Sequence, residues 1–147
     1  MMSHDCIFCT IVRREAPASI VREDADTLAF MDIQPMNPGH VLVIPKAHAT
    51  FLEDLPRGQA GPVFEAAREV SFALRHSGLR CDAVSMYLAD GKEAGQDVFH
   101  THLHLIPRFA GDGFGLRPTP GFGRIADRAE LEEQAARIRR GLASPAR

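Results

Sequence analysis

The sequence lacks most of the features that would direct a protein to a membrane, a nucleic acid or the cell exterior. Its longest apolar runs fall far short of the roughly 20 residues needed to span a bilayer. Its start, Met1-Met2-Ser3-His4-Asp5, has no basic stretch followed by a hydrophobic core, so no secretory leader is expected. Positive charge is not in excess either: 17 Lys and Arg stand against 19 Asp and Glu, a formal net charge of −2. A general binder of nucleic acid or membrane surfaces would carry a basic patch, so neither partner is expected. Cysteine is scarce, with three residues, an odd count. Two of them stand as Cys6-x-x-Cys9. Without a secretion signal, that spacing suggests metal or redox use rather than a structural disulfide. A cytoplasmic enzyme is the natural expectation. The 147 residues suffice for one domain with a single core, and no repeat or internal boundary is visible.

What is there is organised around the stretch Gly95 to Arg108. His100, His102 and His104 alternate with Thr101, Leu103 and Leu105. Such alternation predicts a half-buried β-strand, whose successive side chains point to opposite faces. The imidazoles are expected on its solvent face and the aliphatic residues on its core face. Pro107 cannot donate to a ladder, so it is expected to end the strand or lie on an exposed edge. Same-face histidines can share a metal ion. Alternatively, one ring acts as a nucleophile or acid–base group while the others orient it. A polar, solvated face without chemistry is the plain alternative.

The rest of the chain supplies the support. Residues 5 to 14 predict a short helix capped by Asp5, with Ile7, Phe8, Ile11 and Val12 apolar and Pro17 ending it. Cys6 and Cys9 fall on one side of that turn, as ligands or as buried small hydrophobes. Strands are expected over 19–23, 27–32, 40–45 and 82–88, the third nearly all apolar and therefore central. Residues 62 to 77 predict the main helix, its stripe of Val63, Ala67, Val70 and Leu74 packing on the sheet. Phe64 and Phe72 widen that apolar surface. The stretch from Gly111 to Gly123 is rich in Gly and Pro and reads as irregular. A C-terminal helix follows, opened by a capping box of Asp127 and Glu130 and carrying Leu131, Ala135, Ile138 and Leu142. The chain is thus expected to be one domain over 1–147, with a core of about 5–110, an irregular segment at 111–126 and a helix at 127–143.

The histidine run resembles the signature of the histidine triad (HIT) superfamily. The resemblance covers nearly the whole chain, through Cys6-Ile7-Phe8-Cys9, Leu28-Ala29-Phe30-Met31-Asp32-Ile33, Pro38-Gly39-His40-Val41-Leu42-Val43-Ile44-Pro45-Lys46 and Ala94-Gly95-Gln96. It is similar to the zinc-bearing, bacterial-type, Hint-like part of that family. The resemblance implies an α+β fold with a five-stranded antiparallel sheet, one main packing helix and short N- and C-terminal helices. It implies hydrolysis or transfer of nucleotides at the α-phosphate, with purine nucleotides as the partner. His102 would be the nucleophile that forms a nucleotidyl-histidine intermediate. His104 and His40 would orient it and contact phosphate, with His100 in the same catalytic set, although His40 alone reads equally well as a core histidine. Asp32 would accept from ribose hydroxyls, and Ile7, Phe8, Phe30 and Ile33 would wall the base, with plain core packing as the alternative. Gln96 belongs to the same nucleotide-binding set.

The resemblance also implies one structural zinc held by Cys6, Cys9, His48 and His100. Two thiolates and two imidazoles make a closed tetrahedral set. Cys81 falls outside it. Three positions depart from the family pattern. Thr101 stands where an apolar residue is usual, Ala89 where relatives have Asn or Gln, and Asp97 where they often have Ser or Thr. A carboxylate beside a phosphate is repulsive unless turned away. A homodimer is expected, because one sheet cannot cover the whole girth of a helix bearing Phe64 and Phe72, and large leftover apolar residues mark interfaces; the alternative is that the C-terminal helix folds back through Leu131, Ile138 and Leu142 and covers them within one chain. Two rival readings remain at this stage. One is a non-catalytic, zinc-stabilised nucleotide- or partner-binding module; the other is a redox protein using Cys6 and Cys9.

Overall fold

A computed structural model describes residues 6–143. The elements run α1 (Ile7–Val12), β1 (Ile20–Glu23), β2 (Thr27–Met31), β3 (Val41–Pro45), α2 (Ala60–His76), β4 (Ala83–Tyr87), β5 (Leu103–Arg108) and α3 (Arg128–Leu142), with short 3-10 turns at Leu52–Asp54 and Lys92–Ala94. The five strands form one antiparallel sheet in the order β1-β2-β3-β5-β4. The expected α+β architecture is therefore present. Asp5, the expected cap of α1, lies outside the described residues. Among those residues, no helix is long and apolar enough to cross a membrane.

Local chemistry sets the corners. Asp24 Oδ1 accepts from the backbone N–H of Asp26 and of Thr27, at 2.9 and 2.7 Å, and so turns β1 into β2. Gly39 precedes β3 at φ +94°, and a Cβ there would stand 3.0 Å from both Leu79 and Pro107. Glycine alone meets both demands. This turn delivers His40 to the start of β3.

The sheet is covered on both faces. Val63, Ala66, Ala67, Val70 and Leu74 of α2 pack on Ala29, Val41, Val43, Leu103 and Leu105. On the other face, Phe8 and Ile11 of α1 pack on Leu28, Phe30, Leu42 and Ile44. Burial on both faces explains why β2 and β3 read as continuous apolar runs. Burying a residue the size of Phe8 contributes about 1.5–3 kcal/mol.

Three expectations about the histidine strand are not met, the first being its start: β5 opens at Leu103, so of the three histidines only His104 lies within it. The imidazoles do not face solvent, for His100, His102 and His104 are all buried. The alternation correctly puts them opposite Leu103 and Leu105, but α1 lies over that face, with the Phe8 ring 5.3 Å from His102 and 5.9 Å from His100. Pro107 neither ends the strand nor lies on an edge strand, because β5 sits between β3 and β4. The β3 ladder has already stopped at Val41 opposite Leu105, so on that side Pro107 lies beyond the paired rungs.

The chain divides into two compact units, Met1–Phe114 and Gly115–Arg147. In the second, Asp127 Oδ1 accepts from the N–H of Ala129 and Glu130 and caps α3. The capping box is not closed: the Glu130 carboxylate accepts from Gln134 instead. At 15 residues α3 is not short, being nearly as long as the 17 residues of α2.

Candidate active site

The segment that carries the first two histidines precedes β5 and is pinned from the side. The N–H and hydroxyl of Thr101 both donate to the Ala49 carbonyl, at 2.7 and 3.1 Å. The polar residue at this usually apolar position is therefore satisfied. The pinning fixes His100 and His102 against α1.

Backbone partners then decide which nitrogen of each ring carries the hydrogen. His102 Nδ1 lies 2.7 Å from the His100 carbonyl, which only accepts, so Nδ1 is the donor. The lone pair of His102 is left on Nε2. The N–H of Met36 donates to His40 Nδ1 at 3.2 Å, so the hydrogen of a neutral His40 sits on Nε2. That Nε2 donates to His104 Nδ1 at 3.0 Å, which leaves the His104 hydrogen on Nε2. Asp32 Oδ2 stands 3.6 Å from His40 Nε2. Tyr87 of β4 stacks on His104, with ring centres 4.2 Å apart and planes 9° off parallel.

Burial lowers the pKa of His104 to about 4, with the neighbouring His102 and His40 adding to the effect. Burial also lowers His40, against the opposing pull of Asp32. Both rings are therefore neutral near pH 7 and keep the hydrogen-bond directions just described. Asp32, His40 and His104 are close enough to suggest a metal site. His40 Nε2 and His104 Nδ1 are, however, already spent on each other, His40 Nδ1 accepts from Met36 N–H and His104 Nε2 carries a hydrogen, which makes the group a relay of hydrogen bonds.

His102 and His104 open onto a cavity of about 190 Å³. Ile7, Phe8, Phe30, Ile33 and Asp32 all line it. Phe8 and Phe30 are buried, whereas Ile33 is 93% exposed and forms an open rim. Gln96 is not brought to this cavity. Its amide nitrogen donates to the Thr50 and Val98 carbonyls and its oxygen accepts from Gly91 N–H, so it braces the loop before the histidines. Sequence reasoning passed over Leu42, Val98 and Tyr87 as site residues. The first two read as ordinary core positions, and the Tyr87 stack depends on a pairing between distant strands.

Cys6, Cys9, His48 and His100 form a second cluster, with their ligand atoms all within 4.8 Å of one another. His100 Nε2 donates to the Pro45 carbonyl at 2.8 Å, which leaves the Nδ1 lone pair facing the sulfurs. Burial lowers the pKa of His100 to about 4, so the lone pair stays free. Nδ1 of His100 lies 3.5 Å from Cys6 Sγ, 3.6 Å from Cys9 Sγ and 3.3 Å from His48 Nδ1. Zinc bonds of about 2.0–2.1 Å to nitrogen and 2.3 Å to sulfur give tetrahedral edges of about 3.3–3.4 Å between nitrogens, 3.5–3.6 Å from nitrogen to sulfur and 3.8 Å between sulfurs. The donor set fits zinc. His100 turns its ring to this cluster and its carbonyl to His102, so it joins the two sites.

Residues 13–111 match the family model for the HIT domain. The chain belongs to the HIT family. Its fold is that of a HIT family member from Bacillus subtilis, with a TM-score of 0.87 at 34% identity over 97% of this chain and all of that one. A zinc-bound histidine triad family protein from Mycobacterium smegmatis is also similar, with a TM-score of 0.73 at 38% identity, covering 95% of this chain and 98% of that one. Among relatives of named activity, the adenylylsulfatase HINT3 of Arabidopsis thaliana is 36% identical over 107 residues, 73% of this chain and 54% of that protein.

Proposed function

We propose that this HIT protein is a nucleotide hydrolase or nucleotidyl transferase acting at the α-phosphate of purine nucleotides through His102. One observation carries the reading: the Nδ1–H bond to the His100 carbonyl aims a free Nε2 lone pair into the cavity. A neutral imidazole attacks without a strong base. Nε2 attacks phosphorus, the bond to the leaving group breaks, and its electron pair departs with that group. Positive charge that builds on the ring is stabilised by the carbonyl on Nδ1. His104 Nε2–H donates to a phosphate oxygen, and His40 holds the His104 ring in that direction. Asp32 accepts from ribose hydroxyls, and Phe8, Phe30, Ile7 and Ile33 hold the purine. Water then adds to phosphorus, releases the nucleoside monophosphate and restores His102.

Cys6, Cys9, His48 and His100 would hold one zinc, which when bound supplies a structural link between α1 and the histidine segment. A reducing cytoplasm suits thiols kept for a metal. Adenylylsulfatase activity in the Arabidopsis relative and the zinc in the Mycobacterium smegmatis protein both support the reading.

Adenosine phosphoramidate, adenylylsulfate and diadenosine tetraphosphate, each incubated with the purified protein, test it. At least one is expected to release AMP, with an adenylyl group trapped on His102 by rapid acid-free quenching and mass spectrometry. Tight nucleotide binding with no AMP released from any donor would favour the binding-module reading instead.

We also propose that the protein is a homodimer. Phe64 and Phe72 on α2 are 68% and 65% exposed, and with Met86 of β4 they form an apolar surface next to Arg68 and Arg75. A twofold axis makes one such patch cover itself. Light scattering during size exclusion at micromolar concentration is expected to give twice the chain mass of 16.1 kDa. A single-chain mass sinks the dimer.

A further inference from the structure

We infer that Asp97 sets the leaving-group specificity of this site, favouring donors that release an amine over donors that release an anion. The inference rests on the nucleotidyl-transfer reading above. Asp97 Oδ1 lies 3.6 Å from His102 Nε2, the nitrogen that carries the free lone pair. A phosphorus poised for attack stands about 3–3.5 Å from its nucleophile, so this carboxylate borders the reacting centre.

Its surroundings say which half of the substrate it meets. Asp97 is shared by three adjoining cavities: the apolar one for the nucleoside, a polar one lined by His40, His104 and Tyr87, and one opening towards Thr50 and Phe99. It therefore stands where the nucleoside cavity gives way to the mouth, and its side chain is 77% exposed. The leaving group must depart through that mouth.

The charge balance there is one-sided. Asp32 and Asp97 both line the site, and among the described residues no Lys or Arg lines any of the three cavities. A departing sulfate or polyphosphate takes the electron pair of the broken bond and gains negative charge beside a carboxylate. A departing amine also takes that pair, but it takes up a proton from the solvent at the mouth and presents N–H donors. The Asp97 carboxylate accepts from them. The carboxylate is held in place by the N–H of Val98, which donates to Oδ1 at 2.9 Å. A unit charge about 4 Å away, screened as in bulk water, is worth about five- to tenfold in rate.

The test compares the full chain with Asp97→Asn and Asp97→Glu on two donors that share the AMP half, adenosine phosphoramidate and adenylylsulfate. Asparagine keeps the shape and the Val98 bond but removes the charge. Asp97→Asn is expected to raise kcat/KM for adenylylsulfate about five- to tenfold and to lower it for the phosphoramidate. Asp97→Glu is expected to keep the wild-type ratio. Thermal melts check that each variant is folded. Both donors turned over with a ratio that Asp97→Asn leaves unmoved, or moves equally with Asp97→Glu, would overturn the assignment alone. Turnover of neither donor by the wild type would overturn the assignment, and only if diadenosine tetraphosphate also went uncleaved would the nucleotidyl-transfer reading fall with it.

Discussion

His102→Ala is expected to lower kcat/KM on the best donor by about 10⁴-fold or more, the loss typical of deleting a covalent nucleophile. No neighbouring ring can take over. The Nδ1 of His104 is occupied by His40 and its Nε2 carries the hydrogen, so it has no lone pair to offer. His100 points both nitrogens elsewhere, at the Pro45 carbonyl and at the cysteine cluster. Nucleotide binding is expected to persist, because the cavity walls and Asp32 are untouched. Since His102 is buried against Phe8, alanine leaves a small void. His102→Asn serves as the companion variant, because its side-chain amide can still donate to the His100 carbonyl while offering no nucleophile. Calorimetry with AMP checks binding and circular dichroism checks the fold. More than about a tenth of wild-type activity in either variant would remove His102 from the role, given the size of loss expected of a nucleophile.

How much of this was legible in the sequence depends on the range of the interaction. The period of two around His100 correctly sorts His102 and His104 from Leu103 and Leu105. It says which side chains share a face, but not what lies against that face. The covering of the imidazoles by Phe8 comes from a helix more than ninety positions away in sequence, and no local pattern encodes it. The same holds for Pro107, which reads as an edge residue until the register shows β3 stopping at Val41. The family resemblance puts Gln96 among the nucleotide contacts, yet its amide is consumed by three backbone groups. Asp97 stood out only as a departure from a pattern. Its meaning depends on the 3.6 Å that separates it from His102 Nε2.

The two clusters are not independent, and their link is a single residue. His100 gives its ring to the cysteines and its carbonyl to His102. Anything that loosens the ring therefore loosens the bond that sets the tautomer of the nucleophile. The cluster also ties α1, which carries Cys6 and Cys9, to the loop of His48 and to the histidine segment. α1 is only 6 residues long, too short to hold its own conformation in water. Its position over the sheet depends on Phe8, Ile11 and these ligands.

Removing one thiolate tests that link. Purified wild-type protein is expected to carry about one zinc per chain, the stoichiometry of a single closed site. Cys9 is fully buried, with its Sγ 3.4 Å from His48 Nδ1 and 3.6 Å from His100 Nδ1. Cys9→Ser replaces a strong zinc ligand by a hydroxyl that is not ionised at neutral pH, so most of the metal is expected to be lost. Zinc-finger peptides gain about 10–16 kcal/mol from their metal, but they have little else to fold around. Here the α2 side of the sheet has a core of its own, so a smaller loss of about 3–5 kcal/mol is expected. At about 2–4 °C per kcal/mol for a chain of this size, the melting temperature should fall by about 10 °C. Chelation of the wild type should bring it to a similar value and should not move the variant further. Turnover should fall as well, because the His100 carbonyl no longer holds His102 firmly. Elemental analysis and thermal melts decide the matter. Absence of zinc after gentle purification, or loss of zinc with an unchanged melting temperature, would rule out a structural metal at Cys6, Cys9, His48 and His100.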